Sequence, residues 1–166
     1  MYYATMKQYD AANGDGIRCS LFVSGCTHHC PGCFNKEQQS FEYGKPWTLE
    51  CEQKFIQMAK NPLVTGISIL GGEPMDQTMD YSLLHLLSKL HDQVGKPIWL
   101  WSGYTYEEII KDPLRKAMLS QCDVLVDGEF DQHLYDITLK YRGSSNQRVI
   151  DIQKSFLKNK IIYLTN

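Results

Sequence analysis

Short apolar runs that alternate with helical stretches constrain the fold of this chain more than any other feature. Four such runs occupy residues 17–24, 66–70, 97–101 and 123–127. Strands that alternate with helices at this spacing form a parallel sheet with right-handed crossovers. Two further strands are predicted at residues 148–152 and 161–164. We therefore predict an α/β fold with a mostly parallel sheet of about five or six strands.

The length of the chain decides between a closed and an open barrel. A closed barrel of eight βα units takes about 250 residues, whereas this chain has 166. We expect a partial, open βα barrel that forms a single domain over residues 1–166. Ligands of such sheets bind at the carboxyl ends of the strands, so we expect the functional site at that edge.

Helix signals divide the segments between the runs. Thr48 is a typical N-cap, and the helix after it is predicted to end near Asn61, which precedes a proline. A second helix is predicted over residues 78–94. Thr105 and Glu108 form a capping box for a third helix, which is interrupted at residues 112–113 and resumes to about residue 120.

Charge and hydropathy argue against two classes of function. The formal net charge is −2 and the lysines and arginines are scattered, so we expect no nucleic-acid binding. The apolar runs are far shorter than the roughly 20 residues that a membrane helix needs. The chain begins without a basic and then apolar leader, so we expect a cytoplasmic protein without a membrane span.

Three cysteines, Cys26, Cys30 and Cys33, lie within eight residues directly after the first predicted strand. A structural zinc site and an ordinary electron-transfer iron–sulfur cluster each take four protein ligands. A set of three leaves one coordination position open, as in metal sites that bind a substrate. We predict a four-iron cluster in which one iron is free to bind a small molecule.

Two other interpretations of the cysteine motif are possible. In one, His28 or His29 completes a zinc site with three cysteines. Both histidines lie in a tight loop between two of the cysteines, however, where neighbouring side chains rarely converge on one ion. In the other, two cysteines form a disulfide, which the expected reducing compartment disfavours.

A second motif, Gly71-Gly72-Glu73-Pro74, follows the strand at residues 66–70. Adjacent glycines let backbone groups approach a ligand closely, and the carboxylate of Glu73 supplies a charge for a cationic group. Turns of this composition are also common without any ligand. The motif alone therefore indicates either a binding turn or a plain one.

The two motifs together resemble the radical S-adenosylmethionine superfamily, whose defining spacing is Cys-x3-Cys-x2-Cys. Gly32 stands where many members have an aromatic residue, and Phe34 follows the third cysteine. Other segments resemble the glycyl-radical-enzyme activating proteins, in particular those that act on anaerobic ribonucleotide reductase. These segments are Asn13-Gly-Asp-Gly-Ile-Arg18, Cys33-Phe34-Asn35, Trp101-Ser-Gly-Tyr104, Val124-Leu-Val-Asp-Gly128 and Arg142-Gly-Ser-Ser-Asn-Gln147.

The resemblance implies a set of cofactor-binding residues. Cys26, Cys30 and Cys33 would hold a [4Fe-4S] cluster, and S-adenosylmethionine would bind its open iron through amino and carboxylate groups. The ammonium group would lie against Glu73 and the backbone of residues 71–72. The backbone of Gly32 and Phe34 would contact the adenine. No catalytic side chain is implied beyond the cluster and its bound S-adenosylmethionine.

The resemblance also implies a reaction and two partners. Flavodoxin or a ferredoxin-like protein would reduce the cluster, and reductive cleavage of S-adenosylmethionine would yield a 5′-deoxyadenosyl radical. That radical would take hydrogen from a glycine of the large subunit of anaerobic ribonucleotide reductase, forming a glycyl radical. The roles of Arg18, Asp127, Arg142 and Ser144 stay open, as do the oligomeric state and the docking surface.

Three alternatives are consistent with the same motifs. Within the superfamily, the chain could be a 7-carboxy-7-deazaguanine synthase, although Phe34 and Asn35 after the third cysteine favour an activating protein. It could also be a pyruvate formate-lyase activating protein, although such chains are usually longer. Outside the superfamily, it could be a zinc or iron–sulfur module without catalytic activity.

Overall fold

The computed structural model of this protein describes residues 1–164. Its centre is a seven-stranded mixed sheet. The strands are β1 (Tyr2–Asp10), β2 (Arg18–Ser24), β3 (Lys45–Pro46), β4 (Gly66–Gly71), β5 (Ile98–Ser102), β6 (Val124–Asp127) and β7 (Arg148–Asp151). Their order across the sheet is β3-β1-β2-β4-β5-β6-β7. In the middle of the sheet, β2, β4, β5 and β6 are parallel. The outer strands β1, β3 and β7 are antiparallel to their neighbours, and β3 and β7 do not pair, so the described sheet is not closed.

Helices cover one face of this sheet. They are α1 (Leu49–Lys60), α2 (Ser82–Gln93), α3 (Tyr106–Ile109), α4 (Pro113–Ser120) and α5 (Ile152–Lys158). Contacts join α1 to α2, α2 to α4 and α4 to α5, so these four helices form one layer. The main core lies between this layer and the sheet, where Leu21, Ile69 and Leu100 are fully buried with Phe55 and Leu87. Alternate residues of each parallel strand therefore face the helices, and the others face the opposite side.

The predicted parallel centre and three predicted helices are confirmed. Thr48 Oγ1 accepts a hydrogen bond from the backbone amide of Cys51 at the start of α1, and Thr105 with Glu108 forms the predicted capping box. The second helix begins at Ser82, four residues later than the predicted 78. The cause is Tyr81, which adopts a left-handed conformation with φ 56° and so cannot continue a helix backwards.

Two strands, β1 and β3, and one helix, α5, were not predicted from the sequence. Strand β1 has one largely exposed face and carries polar residues there, so it has no apolar run. The predicted strand 148–152 ends at Asp151, whose carboxylate caps α5 by accepting from the amide of Lys154 at 2.9 Å. The predicted strand at 161–164 is reduced to a single bridge between Tyr163 and Ile150. The sheet has seven strands rather than five or six because the N-terminal edge was not predicted.

Arg18 lies on the face of the sheet opposite the helices. Its guanidinium donates to Ser68 Oγ at 3.0 Å and to the carbonyl of Ile67 at 2.6 Å, and it packs over the ring of Trp99. Burial lowers the pKa of Arg18 to about 10. These contacts indicate a structural role for Arg18, because its guanidinium donates hydrogen bonds to residues of the neighbouring strand.

The segment after β6 crosses this same face. Tyr141 packs edge-on against Trp99, with ring centroids 4.8 Å apart, and its carbonyl accepts a hydrogen bond from Trp101 Nε1 at 2.8 Å. This segment and the carboxyl ends of the parallel strands enclose the space described below. No helix among residues 1–164 is long and apolar enough to span a membrane.

Candidate metal centre

A cavity of about 390 Å³ opens at the carboxyl edge of β2, β4, β5 and β6. Its wall includes most of the residues predicted for the site, namely Cys26, Cys30, Cys33, Phe34, Gly71, Gly72 and Glu73. It also includes Trp101, Ser102 and Gly103 from the end of β5, and Tyr141 and Arg142 from the segment that crosses the sheet. The fold therefore brings the two sequence motifs, which are about 40 residues apart in the chain, to one cavity.

Gly32 does not line this cavity. It has a φ of +71°, and a Cβ atom there would lie 2.7 Å from the side-chain oxygen of Gln132. The position therefore needs a glycine for both its backbone conformation and its close packing. An aromatic side chain directly before Cys33 would have to displace Gln132.

The cysteine loop is closed by main-chain hydrogen bonds to the short helical turn at Lys36–Gln39. The amide of Gly25 donates to the carbonyl of Gln38 at 2.8 Å, and the amide of Cys26 donates to the carbonyl of Gln39 at 3.0 Å. The amide of Cys33 donates to the carbonyl of Cys30 at 3.2 Å, which makes a turn between these two cysteines. All three cysteines of the loop line the cavity.

The three cysteines of the loop provide a donor set for a metal group at the cavity. Cys26, Cys30 and Cys33 are free and partly buried. No three Cys, His, Asp or Glu side chains among residues 1–164 converge closely enough to hold one metal ion. All three cysteines line one cavity, and cysteine thiolates are the ligands that hold iron–sulfur clusters. The chemistry of this donor set therefore fits a [4Fe-4S] cluster.

The thiols need positive charge nearby to act as ligands, because the thiolate is the form that binds metal. Burial raises the pKa of Cys26 to about 11, and burial likewise raises the pKa of Cys30. Metal binding to such thiols releases their protons. The iron of the cluster would supply the charge that these buried sulfurs lack.

His28 is engaged by two carboxylates and is not free to bind zinc. Its Nδ1 lies 2.7 Å from Glu129 Oε1 and its Nε2 lies 3.2 Å from Glu73 Oε2. The Nε2–H group does not point at the Glu73 oxygen, so this second contact is an ion pair without a well-formed hydrogen bond. The Glu73 carboxylate, opposed by burial and assisted by Glu129, raises the pKa of His28 to about 9.

Glu73 is almost fully buried and is bound by donors of its own chain. Its Oε1 accepts from the amide of Met75 and from Ser102 Oγ, both at 2.8 Å. Its Oε2 accepts from the amide of Gly103 at 2.7 Å and faces His28. The carboxylate therefore braces the end of β4 against the end of β5, and only Oε2 has spare capacity for a ligand.

The glycine pair lets the end of β4 approach the cysteine loop. Gly71 has a φ of +115°, and a Cβ atom at Gly72 would lie 2.5 Å from the carbonyl oxygen of Gly25. The carbonyl of Gly71 also accepts a hydrogen bond from Asn35 Nδ2 at 3.1 Å. Part of the reason for two glycines is therefore the packing of the chain on itself.

Phe34 lies at the rim of the cavity, with 72% of its surface exposed. Its ring packs against Phe130 and Tyr135 at centroid distances of 5.2 and 5.8 Å. We call these three side chains the aromatic rim. They connect the cysteine loop to the segment that crosses the sheet.

The structure shows the contacts of three residues whose roles the sequence left open, namely Asp127, Ser144 and Arg142. Asp127 is fully buried and accepts hydrogen bonds from the amide of Tyr106 and from Arg148, so it supports the fold. Ser144 is also fully buried, and its Oγ accepts from the amide of Asp131. Arg142 donates to the carbonyl of Gln147 at 2.6 Å and lines the cavity.

Several residues of this site were not predicted from the sequence. They are Ser102 and Gly103, which bind Glu73, and Asp76, which binds the cysteine loop. Ser102 and Gly103 could have been expected, because they follow a parallel strand and such strand ends meet at one edge. Asp76 carries no comparable signal, since its partner Thr27 is 49 residues away in the chain.

Comparison with protein families supports the cluster. Residues 12–150 match the family model described as "4Fe-4S single cluster domain". This match confirms the predicted iron–sulfur cluster and argues against the zinc site. It covers both sequence motifs and every strand of the sheet except β1, which precedes it, and the last residue of β7.

Relatives in several organisms carry one name, "anaerobic ribonucleoside-triphosphate reductase-activating protein". A protein of Pasteurella multocida is 40% identical over 150 residues, which cover 89% of this chain and 95% of the relative. A protein of Escherichia coli K12 is 39% identical over 152 residues, covering 90% and 97%. One from enterobacteria phage T4 is 32% identical over 150 residues, covering 90% and 93%. The chain therefore belongs to the family of anaerobic ribonucleoside-triphosphate reductase-activating proteins.

Proposed function

We propose that this chain is a radical S-adenosylmethionine enzyme that activates anaerobic ribonucleotide reductase. The [4Fe-4S] cluster is held by Cys26, Cys30 and Cys33, which leave one iron open for S-adenosylmethionine. The observation that carries this proposal is the shared cavity, whose wall contains the three cysteines and the Gly71–Glu73 turn. Its volume of about 390 Å³ lies in the range of small-molecule sites, which is roughly 300–1,000 Å³.

When bound, the cluster would pass one electron to the sulfonium, so that methionine leaves and a 5′-deoxyadenosyl radical takes hydrogen from a partner glycine. The products are 5′-deoxyadenosine and a glycyl radical on the large subunit of the reductase. Flavodoxin or a ferredoxin-like protein supplies the electron. The protein contributes binding, orientation and electrostatics.

The amino group of S-adenosylmethionine, which would also coordinate the open iron, would donate hydrogen bonds to Glu73 Oε2 and the backbone of residues 71–72. Oε1 is already occupied by two donors of the chain, whereas Oε2 has one strong donor and the loose contact with His28. A bound amino group would therefore share Oε2 with Gly103 and take the place of the His28 contact. The backbone of Phe34, which lines the cavity, would contact the adenine. We propose the same contact for the backbone of Gly32, which lies two residues earlier in the chain.

The finer features of the architecture belong to the same proposal. The parallel strands β2, β4, β5 and β6, with helices on one face, would act as a partial βα barrel. The chain would form one domain over residues 1–166 and work in the cytoplasm. An incomplete barrel suits a protein substrate, because a segment of another chain can enter from its open side.

The aromatic rim lies where such a segment would enter. Phe34 is largely exposed, and Tyr135 is 47% exposed. Exposed aromatic side chains next to a cavity are typical of protein interaction sites. The glycine-bearing segment of the reductase must reach the same cavity to meet the adenosyl radical, so we propose that it crosses this rim.

Product formation by the reconstituted protein tests the proposal. After anaerobic loading with iron and sulfide, dithionite and S-adenosylmethionine should yield 5′-deoxyadenosine, and addition of the reductase should give a glycyl electron paramagnetic resonance (EPR) signal. Cys30→Ala should abolish cluster binding and both products, whereas Cys51→Ala should retain them. If the wild-type protein binds the cluster but forms no 5′-deoxyadenosine, it is an electron carrier and the proposal is wrong. Zinc without sulfide in the purified protein would contradict the proposal altogether.

A further inference from the structure

A buried carboxylate outside both sequence motifs holds the start of the cysteine loop. Asp76 lies in the short helical turn after Glu73 and is 9% exposed. Its Oδ2 accepts two hydrogen bonds from Thr27, one from the backbone amide and one from Oγ1, both at 2.9 Å. Thr27 follows Cys26 directly, so the carboxylate lies next to the peptide group that joins these two residues.

The other oxygen of Asp76 is bound from two further elements. Oδ1 accepts from the hydroxyl of Tyr104 at 2.8 Å, and it lies 3.4 Å from Arg115 Nη2. The Arg115 guanidinium also packs over the Tyr104 ring at 3.9 Å and donates to the carbonyl of Met75 at 2.9 Å. Asp76 therefore ties the cysteine loop to the end of β5 and to α4, which are parts of the rigid scaffold.

The charge of Asp76 is only partly balanced. Arg115 is the one cation of residues 1–164 that forms an ion pair with it, and their contact of 3.4 Å is a long one. The reduction potential of an iron–sulfur cluster depends on net charge and on hydrogen bonds around it. A buried negative charge near Cys26 disfavours an added electron, which lowers the potential and makes the reduced cluster a stronger reductant.

We propose that Asp76 is a positioning residue for the cluster, which fixes the loop at Cys26 and keeps the reduction potential of the cluster low. The inference rests on the proposed assignment of Cys26, Cys30 and Cys33 as the cluster ligands. It goes beyond that assignment because Asp76 does not line the cavity that would hold the cluster and its substrate. Its effect is exerted through Thr27 and through the electrostatic field.

Two substitutions separate the geometric effect from that of the charge. In Asp76→Asn, the amide oxygen can still accept from both donors of Thr27, while the amide nitrogen can donate to the Tyr104 hydroxyl and loses the long contact with Arg115. The loop is retained and the charge is lost. In Asp76→Ala both are lost, and the donors of Thr27 and Tyr104 are left without an acceptor. Asp92→Asn, on the exposed side of α2, is the matched control.

The measurements are cluster content, the rate of cluster loss to an iron chelator, and the midpoint potential from an EPR redox titration. Asp76→Asn should contain as much cluster as the wild type, with a higher midpoint potential. Asp76→Ala should lose its cluster to the chelator about tenfold faster than the wild type. This is the lower end of the loss in metal affinity that follows when a group that orients the metal ligands is removed. Asp92→Asn should match the wild type in all three measurements.

The result that overturns the inference is a wild-type potential in Asp76→Asn together with a wild-type rate of cluster loss in Asp76→Ala. If Asp76→Ala does not fold, the potential of Asp76→Asn alone decides, and an unchanged value contradicts the inference. Cys26→Ala, measured in parallel, tests the proposed ligands independently. If it retains a complete cluster, the proposed function fails; if it loses the cluster while both Asp76 variants behave as wild type, only the present inference fails.

Discussion

Glu73 Oε2 accepts a 2.7 Å hydrogen bond from the backbone amide of Gly103. This bond joins the turn after β4 to the turn after β5, at the edge where the cavity opens. The acidic residue of the second motif is therefore a structural brace as well as a candidate ligand for S-adenosylmethionine. A substitution of Glu73 will alter both properties, and the two effects need separate measurements.

Glu73→Ala should lower the free energy of unfolding of the cluster-free protein by at least about 2 kcal/mol. The change leaves the buried donors of Met75, Ser102 and Gly103 without their acceptor, and each unsatisfied donor costs about 1–3 kcal/mol. Urea denaturation under anaerobic conditions measures this difference. The exposed residue Glu42 provides a control, because Glu42→Gln should change stability by less than about 0.5 kcal/mol. Equal stability of Glu73→Ala and the wild type would show that the hydrogen bonds to Glu73 do not stabilise the fold.

Arg148→Ala should destabilise the protein by about 3 kcal/mol, because it leaves the fully buried carboxylate of Asp127 without its cation. The control is Glu107→Gln, which removes the other partner of Arg148. Glu107 is 51% exposed, so its loss should cost less than about 1 kcal/mol. Similar effects of the two substitutions, measured by urea denaturation, would contradict the buried role of Asp127.

The stability difference between the wild type and Asp10→Asn should depend on pH. Burial raises the pKa of Asp10, but hydrogen bonds from Asn13 Nδ2 at 2.7 Å and the amide of Ala12 at 3.0 Å outweigh it, so the pKa is lowered overall. A carboxyl group with a lowered pKa in the folded state adds stability above its unfolded pKa, and this stability is lost as the pH falls through the folded pKa.

We therefore expect a difference of about 1 kcal/mol near neutral pH, which shrinks once the pH falls below about 3.9, the ordinary pKa of an aspartate. Urea denaturation of the cluster-free protein at a series of pH values measures it. Asp92→Asn should show no such trend. A difference for Asp10→Asn that stays constant to the lowest accessible pH would mean that the charged form is not favoured by folding.

Phe34→Ala should separate cofactor chemistry from partner recognition. The proposed contact of Phe34 with the adenine is made by its backbone, so the variant should bind the cluster and form 5′-deoxyadenosine without the partner at a wild-type rate. Loss of an aromatic anchor at an interface commonly costs 2 kcal/mol or more, so the glycyl radical yield at limiting reductase should fall about tenfold or more. Leu157→Ala, at an 85% exposed position on α5, should leave the yield unchanged. An undiminished yield in Phe34→Ala would remove the aromatic rim from the docking surface.

The parallel centre of the fold was predictable because its signals are local. Each buried strand is an apolar run, and each helix between the strands has a cap or a stop residue near its ends, such as Thr48 and Asn61. Strand β1 was not predictable in this way, since half of it faces solvent and its pairing with β2 is a tertiary contact. The helix α5 was missed because its cap, Asp151, is also the last residue of a strand.

In the candidate site, too, the local patterns were predictable from the sequence and the tertiary contacts were not. The cysteine spacing and the Gly71–Glu73 turn are local patterns, and both motifs line one cavity. What the sequence did not predict are the partners that hold these motifs, such as Gly103 for Glu73 and Asp76 for Thr27. These partners come from turns more than 20 residues away, and only the register of the parallel sheet brings them into contact.

The EPR spectrum of the reduced cluster, recorded with and without S-adenosylmethionine, tests the central claim most directly. The claim is that Cys26, Cys30 and Cys33 leave one iron open to this molecule. We predict that S-adenosylmethionine changes the g-values of the cluster in the wild type and in Cys51→Ala, because it becomes a ligand. An identical spectrum with and without saturating S-adenosylmethionine would contradict the account, since every iron would then be bound by the protein or closed to the substrate.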